Sequence, residues 1–158
     1  MEKHSKNKYP SVNKITQTEH IEMVKEIFST ITKRYDFLNH FLSMRRDIAW
    51  RRFAVKKMHF FQNLNYLDVA CGTADLAIMA AESYPDISVT GVDFVDEMLD
   101  TGKTKINKKR LSDRIRLIRA DALSLPFDDK TFDVAGIAFG IRNIPDRISA
   151  LKEMMRVI

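Results

Sequence analysis

The sequence predicts an α/β fold, a doubly wound and mostly parallel sheet, and three observations carry that expectation. Beyond Asn63, short apolar runs alternate with helical patterns, the runs end in small or acidic residues, and a separate helical stretch precedes the first run. The alternation reads Tyr66–Ala70 then Asp75–Glu82, Ser88–Val92 then Glu97–Lys105, Ile115–Arg119, and Phe132–Ala138 then Ile148–Val157. Strands separated by helices of this length pair in parallel through right-handed crossovers.

The N-terminal part has a different pattern. Residues 1–15 are polar and lysine-rich, with Pro10, and are expected to form a mobile tail. Thr16 and Glu19 form a T-x-x-E capping box, and behind it Ile21, Val24, Ile27, Phe28, Ile31 and Tyr35 recur at helical spacing. A second helix is expected from about Arg46 to Phe60, where Ile48, Ala49, Phe53 and Val55 stand among Arg45, Arg46, Arg51, Arg52, Lys56 and Lys57. The expected organisation is a tail (1–15), a helical segment (16–62) and an α/β half (63–158).

Bulk properties narrow the function classes. With 45% hydrophobic and 30% charged residues, the 158-residue chain reads as an ordinary globular protein. A formal net charge of +5 favours an anionic partner, either a membrane surface or nucleic acid. One cysteine, Cys71, excludes an intramolecular disulfide and fits a reducing cytoplasm. No apolar run reaches the ~20 residues that span a bilayer, and no apolar segment follows Lys3, Lys6 and Lys8 as a secretory signal requires. No metal site is expected, and the sequence leaves self-association open.

The stretch Leu67-Asp68-Val69-Ala70-Cys71-Gly72-Thr73-Ala74-Asp75-Leu76 is an apolar strand, a small-residue turn and a helix start. Such a turn lets the backbone approach a ligand, and the helix start offers unpaired N–H groups. A dinucleotide fingerprint would need glycine at 70, 72 and 75, and only Gly72 is present. Twenty-one residues after Gly72, Asp93 ends the second run, where a carboxylate can accept both hydroxyls of a ribose. Arg119-Ala120-Asp121-Ala122 ends the third, placing Asp121 to accept from an adenine amino group and the Ala122 backbone to meet a ring nitrogen. Three polar strand ends on one rim describe a nucleoside pocket at the carboxyl edge of the sheet. Taken singly, each acid reads equally well as a helix cap. Cys71 reads as a small residue packed in the turn, since no histidine stands near it.

The turn resembles the first motif of class I methyltransferases. Arg34-Tyr35-Asp36-Phe37-Leu38-Asn39 with Leu42-Ser43 and Trp50-Arg51, Asp93-Phe94 with Met98-Leu99, and Leu125–Asp129 with Thr131–Asp133 resemble the C-methyltransferases of menaquinone and ubiquinone biosynthesis. So do Ala138-Phe139-Gly140-Ile141-Arg142-Asn143 and Glu153–Val157, and the resemblance covers roughly residues 20–158. It implies S-adenosylmethionine as cofactor, with Gly72, Thr73, Asp93, Asp121 and Ala122 as its contacts. The implied reaction is methylation of a ring carbon of a prenylated hydroquinone, with 16–62 on the substrate side. The acceptor carbon gains nucleophilicity when a ring hydroxyl of pKa ~10 ionises. Arg142 is the candidate partner for that oxyanion, against a plain surface pairing with Asp146. Tyr35 and Asn39 are candidates to line the substrate side, with a core role for Tyr35 as the alternative.

The resemblance also implies a peripheral contact with an anionic membrane at its cytoplasmic face, for which the basic 46–60 helix is a candidate; a solvated basic face over a packed helix is the alternative. A nucleic-acid acceptor is not expected, since no Asn-Pro-Pro-Tyr-like motif follows the fourth run. Three departures stand out. Ala74 replaces a usual glycine and would strain a left-handed turn. Ala138 replaces a contacting serine of some members. The chain also stops at Ile158, before a Lys-Pro-Gly-Gly turn and three further strands. The expected sheet order is therefore 3-2-1-4, with strand four bare on one edge, the last helix uncapped and catalytic competence in doubt.

Overall fold

The computed structural model describes residues 16, 19, 22–24, 26, 27, 30, 43, 44, 46–58, 60 and 65–158. The tail 1–15, Ile21, Phe28, Ile31, Tyr35, Asn39 and Arg45, named above, lie outside the described residues. The capping box is formed: the Thr16 N–H and hydroxyl both donate to Glu19 Oε2 at 2.8 Å, and the Glu19 N–H donates back to Thr16 Oγ1 at 3.3 Å. These bonds hold the exposed Glu19 carboxylate below its usual range.

The elements, in chain order, are α1 (Arg46–Lys57), β1 (Asn65–Val69), α2 (Asp75–Ser83), β2 (Ser88–Asp93), α3 (Asp96–Lys108), β3 (Ile115–Arg119), β4 (Val134–Ile137), a 3-10 turn (Gly140–Asn143) and α4 (Arg147–Arg156). The four strands run parallel in the order β3-β2-β1-β4, as expected. Among the described residues β4 pairs only with β1.

Alternation along β1 divides the core. Tyr66 faces a cluster with Val55 of α1, Ala77 and Ile78 of α2 and Ile106 of α3. Leu67 and Val69 face the other way, against Val92, Phe132 and, from the α4 end, Met154 and Val157. Both faces of β1 are buried from Tyr66 to Val69, with Asp68 as the polar exception.

The last helix is closed rather than uncapped. The Lys130 N–H donates to the Arg156 carbonyl at 3.0 Å and the Phe132 N–H to the Val157 carbonyl at 2.8 Å. The Arg156 guanidinium also donates to the carbonyls of Leu125 and Phe127 and to Asp129 and Glu153. Glu153 is pulled down to about 2, chiefly by its bond from Arg156. The chain before β4 thus supplies the donors that the sequence around Val157 lacks.

Helix α1 is turned inside out relative to the ordinary amphipathic pattern. Asp47, Arg51 and Val55, one turn apart, are its buried residues, while Trp50 and Phe53 are 55% and 63% exposed. Its end is held by Tyr84, whose hydroxyl lies 2.8 Å from the Met58 carbonyl and 3.1 Å from that of Val55.

Candidate functional site

The turn between β1 and α2 alternates in handedness. Ala70 (φ +52°), Gly72 (φ +54°) and Ala74 (φ +65°) all adopt the left-handed region. Gly72 does so freely, whereas each alanine carries roughly 1–2 kcal/mol of local strain. The strain expected at Ala74 is therefore present, and a second instance stands at Ala70. Packing leaves no alternative path: Ala74 is fully buried, and a methyl built on Gly102 of α3 would lie 3.2 Å from the Ala74 Cβ. Gly102 thus admits the turn against α3.

Two buried carboxylates fasten the turn. Ala74 offers α2 no side-chain cap, but Asp68, 1% exposed on β1, accepts the Ala77 N–H at 3.0 Å and serves that purpose from the strand. Burial pushes the Asp68 carboxyl up to about 8, and the Ala77 N–H pulls only partly against it. Asp93 ends β2 and is 8% exposed. Its Oδ2 accepts the Gly72 N–H at 2.8 Å and its Oδ1 the Val95 N–H at 3.0 Å. Burial raises its carboxyl above the usual range despite those bonds.

Gly72, Asp93, Asp121 and Ala122 converge on one cleft at the carboxyl ends of β1, β2 and β3. Its space, open mouth included, is about 910 Å³, within the range of small-molecule sites. Val92, Val95, Met98, Ala120 and Leu123 give it apolar walls, and Phe139, Asn143 and Ile144 close the side after β4. Asp121 accepts the Leu123 N–H at 2.9 Å, which fixes its carboxylate at the rim. Among the described residues, no group of three His, Cys, Asp or Glu is placed to hold a metal ion.

The remaining expectations divide. Thr73 lies in the turn, but it is 2% exposed, does not line the cleft, and its hydroxyl meets Lys105 Nζ at 3.1 Å. Arg142 is exposed beside the cleft and does not line it. The pairing with Asp146 is not formed: Asp146 caps α4, accepting the Ser149 N–H at 3.0 Å and its hydroxyl at 2.7 Å. Cys71 packs in the turn, and burial holds its thiol well above the usual range. Ala138 lines the cleft. Tyr35 and Asn39 lie outside the described residues.

Sequence reasoning missed the network beneath this cleft. Arg51 donates to Asp47 at 2.5 Å, lies 3.8 Å from Asp75, and stacks 5.1 Å from the centre of the Phe139 ring. Lys105 pairs with the other oxygen of Asp75. The cations of α1 and α3 therefore meet on the first residue of α2, and one of them backs a wall of the cleft. The i, i+4 spacing of Asp47 and Arg51 was a legible signal; their common target was not.

Residues 14–158 match the sequence model of the ubiE/COQ5 methyltransferase family. The chain is 48% identical over 142 residues to a protein of Geotalea daltonii named ubiquinone/menaquinone biosynthesis C-methyltransferase UbiE, covering 89% of this chain and 60% of that one. It is 41% identical over 138 residues to the demethylmenaquinone methyltransferase of Listeria monocytogenes, covering 87% and 58%. The chain thus spans about 60% of the length of the curated relatives it matches. Among solved structures, a SAM-dependent methyltransferase from Aquifex aeolicus shares the fold with TM-score 0.60 and 21% identity, covering 68% of this chain and 57% of that one. A geranyl diphosphate methyltransferase shares it with TM-score 0.62 and 19% identity, covering 70% and 40%. From the parallel sheet, the strained turn and these matches together, the chain belongs to the ubiE/COQ5 methyltransferase family.

Proposed function

We propose that the protein binds S-adenosylmethionine in the cleft and takes part in C-methylation of a prenylated hydroquinone, demethylmenaquinol or its ubiquinone-pathway equivalent. The convergence of Gly72, Asp93 and Asp121 on one apolar cleft, in a chain of this family, carries the reading. The residues fit the cofactor. The Asp93 carboxylate accepts the Gly72 and Val95 N–H groups, one on each oxygen, and its remaining lone-pair capacity is what a ribose hydroxyl would use. Asp121 and the Ala122 backbone, on the same cleft, would offer an adenine edge an acceptor and a donor, and the Gly72 turn would take the amino-acid end. When bound, the sulfonium supplies an electrophilic methyl group.

The chain's own residues prepare the acceptor. Arg142, beside the cleft and without a carboxylate partner among the described residues, supplies a permanent cation for a ring oxyanion. Tyr35, outside the described residues, is the candidate that the family resemblance implies for the substrate side. The acceptor's apolar tail is drawn from an anionic membrane, touched peripherally at its cytoplasmic face; among the described residues no helix is long and apolar enough to cross it.

Calorimetry of the purified chain with S-adenosylhomocysteine and with NAD tests the cofactor, and methyl transfer from labelled donor to a panel of hydroquinols tests the reaction. Saturable binding of the nucleoside thioether but not NAD is the expected result. Absence of that binding would remove the reading.

A further inference from the structure

Helix α1 buries its only acid, Asp47, together with Arg51, and turns Arg46, Trp50, Arg52, Phe53, Lys56 and Lys57 outward. Met44, just before it, is 74% exposed. Burying an ion pair while leaving Trp50 and Phe53 in water reverses the economy of a soluble helix. Four outward cations with no outward acid on the same helix call for an anionic surface, and the aromatics for one with an apolar interior. The Lys57 ammonium lies 5.6 Å from the centre of the Phe53 ring, so basic and apolar groups share one patch.

The patch is also continuous with the cleft. The Trp50 ring stands 6.0 Å from that of Phe139, which also lies under the buried Arg51 guanidinium. Phe139 lines the cleft itself.

We infer that the outward face of α1, centred on Trp50 and Phe53 and flanked by Arg46, Arg52, Lys56 and Lys57, docks on an anionic phospholipid bilayer. The Asp47–Arg51–Asp75 network is the strut that holds this face outward. The docked helix sets Phe139 next to the interface, so an amphiphilic acceptor passes from lipid to cleft along Trp50. This rests on the proposed membrane-borne acceptor for its purpose, but the exposed face carries the docking on its own. A polyanion such as RNA would also attract the cations, yet it gives no reason for Met44 and Phe53 to stand in solvent beside an apolar cleft.

Trp50 is the only tryptophan in the chain, so its fluorescence reports this face without interference. Vesicles rich in phosphatidylglycerol should shift its emission to the blue, and lipids brominated in the upper acyl chain should quench it. Phosphatidylcholine vesicles should do neither. Neutralising Arg52, Lys56 and Lys57 to glutamine should lower partitioning about a hundredfold, at roughly fivefold per cation, while S-adenosylhomocysteine affinity stays unchanged. Phe53→Ser should weaken partitioning with the charge intact.

No Trp50 shift with anionic vesicles, equal response to both lipids, or tight binding to an RNA oligonucleotide instead would overturn the docking. Because the first test uses the unaltered protein, a misfolded variant cannot decide it. Loss of vesicle binding with thioether binding intact would sink this surface alone, and the reverse pattern would sink the cofactor reading alone.

Discussion

The Asp93 carboxylate accepts the Gly72 N–H at 2.8 Å across two strand ends, so the acid proposed to meet the ribose also fixes the turn proposed to face the amino-acid end. On that proposal one residue serves fold and site. Asp93→Asn keeps an acceptor for only one of the Gly72 and Val95 N–H groups and is expected to lose cofactor affinity at a stability cost smaller than that of alanine. Asp93→Ala strands the Gly72 and Val95 N–H groups and should cost a further 1–3 kcal/mol or so in denaturant unfolding. Equal stability of the two variants would contradict this division.

Ala74→Gly should raise stability. The left-handed φ of +65° strains alanine and suits glycine, and the expected gain is at most about 0.5 kcal/mol after glycine's extra chain entropy and the loss of a buried methyl are subtracted. Urea midpoints measure it, with an unchanged slope as the control.

Tyr66 carries the one buried side-chain polar atom without a hydrogen-bond partner among the described residues. Tyr66→Phe removes a desolvated hydroxyl and should stabilise by about 1 kcal/mol in a thermal or denaturant melt. A methyl built on Gly136 would lie 2.6 Å from that hydroxyl, so Gly136→Ala should be harmful alone and milder in the phenylalanine background. A double-mutant cycle reads the coupling.

Stability should fall as pH rises from about 4 towards 8. Burial raises the folded-state values of Asp68, to about 8, and of Asp93. The folded state then holds protons that the unfolded state has already released, so each unit of pH in that window favours unfolding, and the effect levels off above it. Asp68→Asn keeps an acceptor for Ala77 and should flatten most of the slope in melting temperature. A slope unchanged in this variant would assign the effect elsewhere.

Arg142→Ala should lower turnover with a hydroquinol far more than it lowers thioether affinity, since the guanidinium stands outside the cleft's own lining. Parallel kinetics and calorimetry separate the two; equal losses would place Arg142 in cofactor binding.

The sheet and its rim were legible because they rest on local signals. Runs such as Ser88–Asp93 end in a polar residue wherever a parallel strand meets its crossover, so the positions of Gly72, Asp93 and Asp121 followed from chain order alone. What stayed hidden depends on partners distant in sequence. Arg51 is buried because Asp47, Asp75 and Phe139 surround it, and no reading of α1 alone distinguishes it from Arg52. Lys105 draws the Thr73 hydroxyl away from the cleft from 32 residues away. The end of α4 is closed by backbone donors at Lys130 and Phe132, which carry no residue-type signature.

Every described residue lining the cleft except Val24 falls between positions 70 and 145. A growing polypeptide emerges from the ribosome N-terminus first, and its domains fold as units in that order. The part of the cleft formed by 70–145 therefore comes from consecutive loops and can take shape during synthesis, as soon as that stretch of nascent chain has cleared the exit tunnel.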